Sequence, residues 1–342
     1  MEQSKIYAVL WEITMTCNLA CVYCYNSFQI SRPSTKSSSV SKENALAIAG
    51  KIVEAGIQTI VISGGEPTTQ PDIVLEVGEH LKKHGKKVSV ITNGTLITDE
   101  LACELARLDI EVFVSLTAPF ELLHDETVGK KGAYKKTIHG IHLLVEKGAR
   151  TGINMVVTQK NKTMIQEMGS LAVSLGVGAF SASRMIPPWG IYSDEIRSLL
   201  LDRSDVRRMF QDLRIVRQST NLLIYTQSCY PLCLMADFSA PIHLKYCSIG
   251  GPALAIGPKG EIRPCALMPQ VCGNVLVEGF WPALERMRSW RVEALAPPEC
   301  QTCQVFEQCK GGCRITAHYN GNVSGLDMHA DPQAIAVALG LE

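Results

Sequence analysis

Residues 16–25 read TCNLACVYCY, and the rest of the chain is organised around them. Cys17, Cys21 and Cys24 stand four and three residues apart, close to a chain start that carries no export signal. That context points away from a disulfide framework and towards a metal. Three thiolates on one short loop can hold three corners of an iron–sulfur cube, whereas a structural zinc wants four ligands. The fourth iron is then open to a substrate or cofactor ligand, the arrangement that a reductive cleavage needs.

Outward from the loop, the first two-thirds of the chain alternates strand and helix. An apolar strand over 7–13 leads into the cysteines, and a polar connector over 27–41 follows, with five serines between Ser31 and Ser39. Ser41 is placed to cap a helix whose face carries Leu46, Ala49, Ile52 and Val53, stopped by Gly56. Strands are predicted over 59–63, 87–92, 111–116, 151–158 and 179–185, with helices over 71–84, 99–108, 133–147 and 163–175 between them. This rhythm implies a parallel sheet with its chemistry at the C-terminal strand ends. There the apolar runs give way to Gly64-Gly65-Glu66-Pro67, Asn93-Gly94 and Ser115-Leu116-Thr117. Glycines let a backbone approach a ligand closely, and exposed amides can bind a small polar group.

Composition limits the alternatives. The chain has 342 residues, 46% hydrophobic and 19% charged, enough for one large globular domain and a small one. Lys plus Arg equals Asp plus Glu at 33 each, so no overall field argues for nucleic acid or an anionic membrane as partner. No run reaches about 18 apolar residues and the N-terminus lacks a basic start before an apolar core. Neither a membrane helix nor a signal peptide is expected, and a cytoplasmic location follows. Thirteen cysteines in such a compartment more often serve metals or catalysis than disulfides. Cys103, in a helical pattern, reads as a small buried apolar residue.

The cysteine loop, with aromatic Tyr23 just before Cys24, resembles the signature of the radical S-adenosylmethionine (SAM) enzymes. GGEP directly after a strand resembles the turn of that family whose backbone holds the amino group of SAM's methionine. Asn93-Gly94 resembles its ITNG segment, and Ser115 matches a SAM-contacting serine. Thr117 stands where many relatives have Asp, His124-Asp125 with Gly129 and Gly132 resembles the next segment, and Arg184 matches a strand-end arginine whose alternative is a surface ion pair. The resemblance covers residues 7–226 and implies an α/β fold, a partial (β/α)6 TIM-like barrel open on one side. It implies a [4Fe–4S] cluster on Cys17, Cys21 and Cys24 that binds SAM, with cofactor contacts from Tyr23, Gly64, Gly65, Glu66, Pro67, Asn93, Ser115 and Arg184.

Beyond residue 226 the rhythm stops, and nine of the cysteines lie between Cys229 and Cys313. Cys247 is followed by twelve residues, Gly260, four residues and Cys265; Cys300, Cys303, Cys309 and Cys313 follow with gaps of two, five and three. Loop-rich segments with many thiols need metal to order them, and a zinc ribbon is one answer. The series as a whole resembles the SPASM domain, which carries two auxiliary iron–sulfur clusters, and gives domains at 1–226 and 227–342. By that resemblance Cys247, Cys265 and Cys313 match ligands of the first auxiliary cluster, and Cys300, Cys303 and Cys309 three ligands of the second. The family's seventh cysteine is missing, since Gln333 and Ala334 follow Asp331-Pro332. Asp327, His329, Asp331, Cys229, Cys233 or Cys272 are the substitutes at hand; an open iron or an absent cluster are the other outcomes.

The resemblance implies reductive cleavage of SAM to a 5′-deoxyadenosyl radical that abstracts hydrogen from a substrate C–H bond. The expected work is maturation of a ribosomally made peptide or protein by a crosslink, thioether or oxidation. The alternative is oxidation, decarboxylation or epimerisation of a small molecule in cofactor, tetrapyrrole or sugar-derived metabolism. A non-enzymatic zinc- or cluster-bearing binding protein is the third reading. Expected partners are a peptide precursor or small-molecule substrate and a one-electron reductant such as flavodoxin or ferredoxin. Only six residues precede the first strand, leaving no room there for the N-terminal precursor-binding domain that many peptide maturases carry; a separate peptide-binding protein is the alternative.

Overall fold

In the computed structural model, which describes residues 6–26, 39–235 and 243–334, seven strands lie side by side in parallel. They are β1 (Ala8–Thr14), β2 (Thr59–Gly64), β3 (Lys87–Thr92), β4 (Glu111–Ser115), β5 (Thr151–Val157), β6 (Ala179–Arg184) and β7 (Leu223–Cys229). β8 (His243–Lys245) adds beside β7. The chain then returns to the other side of β1 with β9 (Ala253–Ile256), also parallel, and β10 (Glu261–Arg263) and β11 (Gly273–Asn274) follow antiparallel. The eleven strands form one sheet in the order β11-β10-β9-β1-β2-β3-β4-β5-β6-β7-β8. β1, which delivers the cysteine loop, therefore stands among its middle strands.

Eight helices accompany the parallel strands: α1 (Lys42–Glu54), α2 (Pro71–Lys83), α3 (Asp99–Arg107), α4 (Glu121–Val128), α5 (Ala133–Glu146), α6 (Ile165–Ser174), α7 (Asp194–Leu199) and α8 (Arg203–Ser219). Ser41 caps α1 by accepting from the Asn44 amide, and an Asp202/Asp205 capping box starts α8. Period-two alternation sends Val9, Trp11, Ile13, Ile60, Ile62, Val90, Val112, Val114, Ile153 and Met155 into one core with Ile48, Ile52, Val77, Leu81, Leu105 and Leu144 of the helices. The strand residues of that set are at most 1% exposed. Each such side chain contributes roughly 1.5–3 kcal/mol. The intervening residues Glu12, Ser63, Asn154 and Ser181 are polar and buried, so the opposite face is built for polar contacts.

The strand and helix expectations through residue 185 match these elements to within about two residues at each end. Residues 27–38 of the serine-rich connector lie outside the described residues. The compositional boundary at 226/227 falls within β7. Cys103 is exposed on α3 rather than buried. No helix among the described residues is long and apolar enough to cross a membrane.

Candidate functional site

The loop after β1 is held from three sides. The Gly65 amide donates to the Thr14 carbonyl at 2.6 Å and the Glu66 amide to the Thr16 carbonyl at 2.8 Å, so the turn after β2 is stitched to the loop's entry. Ala20 and Val22 amides donate to the Val128 and Thr127 carbonyls, 3.0 Å each, which ties the middle of the loop to the end of α4. The Asn93 amide side chain, after β3, donates to Asn18 Oδ1 at 2.9 Å, and Asn18 donates to Thr95 Oγ1 at 2.8 Å. At the loop's exit Asn26 donates to Glu12 Oε1 at 3.0 Å. Two glycines make the approach possible. A Cβ on Gly64, whose φ is 143°, would meet the Thr14 carbonyl oxygen at 2.2 Å, and one on Gly65 the Thr16 carbonyl oxygen at 2.3 Å.

Glu66 organises the turn rather than facing outward. Its buried carboxylate accepts from the Thr68 amide (3.0 Å) and hydroxyl (2.5 Å), the Thr92 hydroxyl (2.7 Å) and the Asn93 amide (2.7 Å). Burial raises its pKa while those bonds oppose the rise. Because the Gly65 and Glu66 amides already donate to the loop, what the turn has left there is acceptor oxygen. Acceptors, not the exposed amides expected from sequence, suit an amino group. Pro67 opens a single 3-10 turn, Pro67–Thr69, and Ser115 closes β4 opposite Asn154 of β5.

Cys17 and Cys21 pack with Leu19, Val128 and Ala133, and the Tyr23 side chain is hydrogen-bonded to that of Cys21. Burial raises all three thiols, Cys24 to about 11; Cys24 and Cys17 charges raise Cys21 further, and Cys17 does the same to Cys24. Such a trio becomes thiolate only together with a compensating cation, and soft sulfur donors select iron or zinc. With three sulfurs and no fourth ligand expected on the loop, the donor set fits the cluster.

A second group of sulfurs lies beyond β7. The side chains of Cys229 and Cys247 are hydrogen-bonded to each other, and Cys313 charge bears on Cys229 and on Cys265. Cys229 lowers the Cys247 thiol against the effect of burial, while Cys247 and burial raise Cys229, so the two titrate as a pair. Thus Cys229, Cys247, Cys265 and Cys313 share one neighbourhood. Cys300, Cys303 and Cys309 line a separate, solvent-open pocket with Pro231, Cys233 and Pro332. Among the described residues no three Cys, His, Asp or Glu side chains converge on a single metal-ion position.

Arg184, expected among the SAM contacts, has its η nitrogens engaged elsewhere. They donate to Asp327 Oδ1 at 2.9 Å and Oδ2 at 2.6 Å and to the Cys229 carbonyl at 2.8 Å, and the guanidinium lies 4.8 Å from the centre of the Tyr230 ring. Neither is this the surface ion pair of the alternative reading, since both side chains are at most 1% exposed. Asp327 also accepts from the Cys313 amide (2.7 Å) and the Thr316 hydroxyl (2.6 Å). Burial would raise Asp327, but Arg184 outweighs it and holds the carboxyl at about 2. Sequence reasoning passed over a second buried pair, Glu12 with Arg263, although one acidic residue inside the apolar run VLWEIT was a signal. Arg263 also donates to the Ala266 and Met268 carbonyls at 3.1 Å each, which shapes the turn that carries Cys265.

Residues 11–172 match the Radical SAM superfamily. The AdoMet-dependent heme synthase of Methanosarcina barkeri is 27% identical over 328 residues, 91% of this chain and 91% of that protein. The mycofactocin maturase MftC of Mycolicibacterium smegmatis is 27% identical over 320 residues, 91% of this chain and 79% of that one. Streptococcus suis SuiB, in structures bound to S-adenosylmethionine and to its precursor peptide SuiA, has the same fold. Both give a TM-score of 0.74 at 21% identity, covering 94% and 95% of this chain and 76% and 75% of SuiB.

Proposed function

We propose that this chain, a radical SAM enzyme, opens a C–H bond of a ribosomally made peptide during its maturation. Cys17, Cys21 and Cys24 would hold the [4Fe–4S] cluster, and the turn at Gly64, Gly65, Glu66 and Pro67, with Tyr23, Asn93 and Ser115, the SAM beside it. When bound, that pair supplies a 5′-deoxyadenosyl radical able to abstract hydrogen from an unreactive carbon.

The chain's own part is positioning. The observation that carries the reading is the stitching of the cysteine loop to the ends of β2 and β3, which holds that loop against the GGEP turn. The buried polar face of Glu12, Ser63, Asn154 and Ser181 would orient substrate, and a one-electron donor of the flavodoxin or ferredoxin kind would reduce the site. MftC, a maturase, and SuiB, solved with its precursor peptide, support the peptide reading. The heme synthase relative, matched over 91% of both chains, favours a second reading in which the substrate is a small tetrapyrrole-like molecule.

The test is 5′-deoxyadenosine release from SAM by anaerobically reconstituted, reduced protein. Replacing Cys17, Cys21 and Cys24 with Ala should abolish release while well over half of the iron and sulfide remains on the auxiliary sites. Continued cleavage by that variant would sink the assignment. Stimulation of release by short peptides encoded beside the gene supports the peptide reading; stimulation only by tetrapyrrole precursors replaces it with the second.

A further inference from the structure

We propose that Cys233 is the fourth thiolate of the second auxiliary cluster, standing in for the absent cysteine after Asp331-Pro332. The inference rests on the reading that residues 229–313 hold iron–sulfur clusters, and adds a ligand to it.

Cys233, Cys300, Cys303 and Cys309 line one solvent-open pocket, and the rest of its described wall is proline, valine, phenylalanine and glycine. Among the described residues no carboxylate or imidazole lines it. Cys233 sits on the 3-10 turn Leu232–Met235 directly after β7, and two backbone amides cross-link this turn to the rest of the site. The Leu232 amide donates to Cys309 Sγ at 3.2 Å, and the Asp331 amide donates to Cys233 Sγ at 3.1 Å. Amides aimed at sulfur favour the thiolate that a cluster iron binds, with the thiol proton released to solvent. The second of these comes from the Asp-Pro segment itself. That segment therefore contributes through its backbone to a sulfur supplied from elsewhere.

Every other substitute is committed. Asp327 is held by Arg184, the Cys313 amide and Thr316; Asp331 pairs with Arg203. His329 has Nε2 on the Leu201 carbonyl at 2.8 Å and Nδ1 against Arg184. Cys272 is part of the main core with Val275, Ala283 and Leu284, and Cys229 packs with Cys247, Cys265 and Cys313 of the first auxiliary group. The two groups thus draw on one short segment, with Cys229 facing the first and Cys233 the second.

The test uses full-length protein in which Cys17, Cys21 and Cys24 are Ala, so that only auxiliary iron remains. In this background Cys233→Ala and Cys300→Ala should each remove the same share, up to about half of the iron and sulfide. The double variant should lose no more than either alone, because both act on one cluster. Cys265→Ala should remove a separate share. Without any variant at the site, Cys233 in iron-loaded protein should react with iodoacetamide at least about tenfold more slowly than after chelation, with exposed Cys103 unchanged in both. Unchanged iron and Mössbauer spectrum in Cys233→Ala, or a freely alkylated Cys233 in loaded protein, would overturn the proposal. Zinc, or no iron, in the starting background would instead remove the cluster reading beneath it.

Discussion

Gly65 shows how tightly single residues are set at this site. The Cβ of an alanine there would fall 2.3 Å from the Thr16 carbonyl oxygen and 2.9 Å from the Met15 carbonyl carbon, and backbone cannot step aside as a side chain can. Gly65→Ala is therefore expected to push the cysteine loop off the GGEP turn. SAM affinity and SAM-site iron should fall together, by contrast with a contact that touched SAM alone; equilibrium SAM binding and iron per chain measure it, and unchanged values for both would refute it. His124, on α4, offers a pH signature. It is 1% exposed, accepts from the Thr117 amide at 3.3 Å, and burial pushes its pKa down to about 4 against a small opposing effect of Asp125. The unfolded chain binds this proton from about pH 6.5 downward while the folded chain refuses it until about 4, so stability is full above 6.5 and falls as the pH drops through that window. The loss should approach roughly 3 kcal/mol by pH 4, and His124→Gln should flatten that limb of a stability-against-pH curve from urea titrations. Thr117, where an Asp was the family expectation, serves the same turn, since its carbonyl accepts from Asn161 at 2.7 Å.

β1 is the element on which the site's position depends. One of its faces enters the core through Val9, Trp11 and Ile13, and the other carries Glu12, whose carboxylate burial pushes up to about 7 in spite of Arg263. Removing the guanidinium alone leaves that carboxyl buried without compensation, so Arg263→Met should cost about 3–5 kcal/mol, whereas the double variant Glu12→Gln/Arg263→Met should recover most of it. Chemical denaturation of the four proteins gives the coupling directly, and additive losses would count against it. This pair also marks where the sequence stopped being legible. Most strands and helices through residue 185 could be read because apolar periodicity is local and those helices end in a polar or glycine signal. α4 was missed, being eight residues long with no side-chain cap at its start; α7, α8 and β7 were missed too, although the Asp202/Asp205 capping box and the buried face of Val206, Met209, Phe210, Leu213 and Val216 were signals for α8. The cysteine loop and GGEP were legible as motifs. That the GGEP amides are spent on the loop, that Arg184 turns to Asp327, and that Cys233 faces Cys309 are long-range facts, set by pairings 143 residues apart in the case of Arg184 and Asp327, and no local pattern contains them.

At the scale of the whole molecule, the Arg184–Asp327 pair joins the end of β6 to the backbone of Cys313, so the second group of cysteines is tied to the parallel sheet. Replacing Arg184 with Met leaves Asp327 buried and unpaired, which should destabilise the fold by about 3–5 kcal/mol. Because the carboxylate also positions Cys313, auxiliary iron should be lost on chelation before SAM-site iron; the reverse order, followed by Mössbauer spectroscopy, would show that the pair does not act on the auxiliary group. The placement of β9 against β1 reaches further. A polypeptide ending before Ala253 would retain the whole loop from Cys17 to Cys24, the GGEP turn and α1 through α8, and by motif it would pass for a finished catalyst. It would also leave Ala8, Val9, Leu10 and Trp11, the residues that β9 covers, as a bare apolar edge that recruits the next molecule's strands. Truncation should therefore surface first as self-association on a sizing column, and the segment from Ala253 onward would act in the full chain as a built-in guard against aggregation.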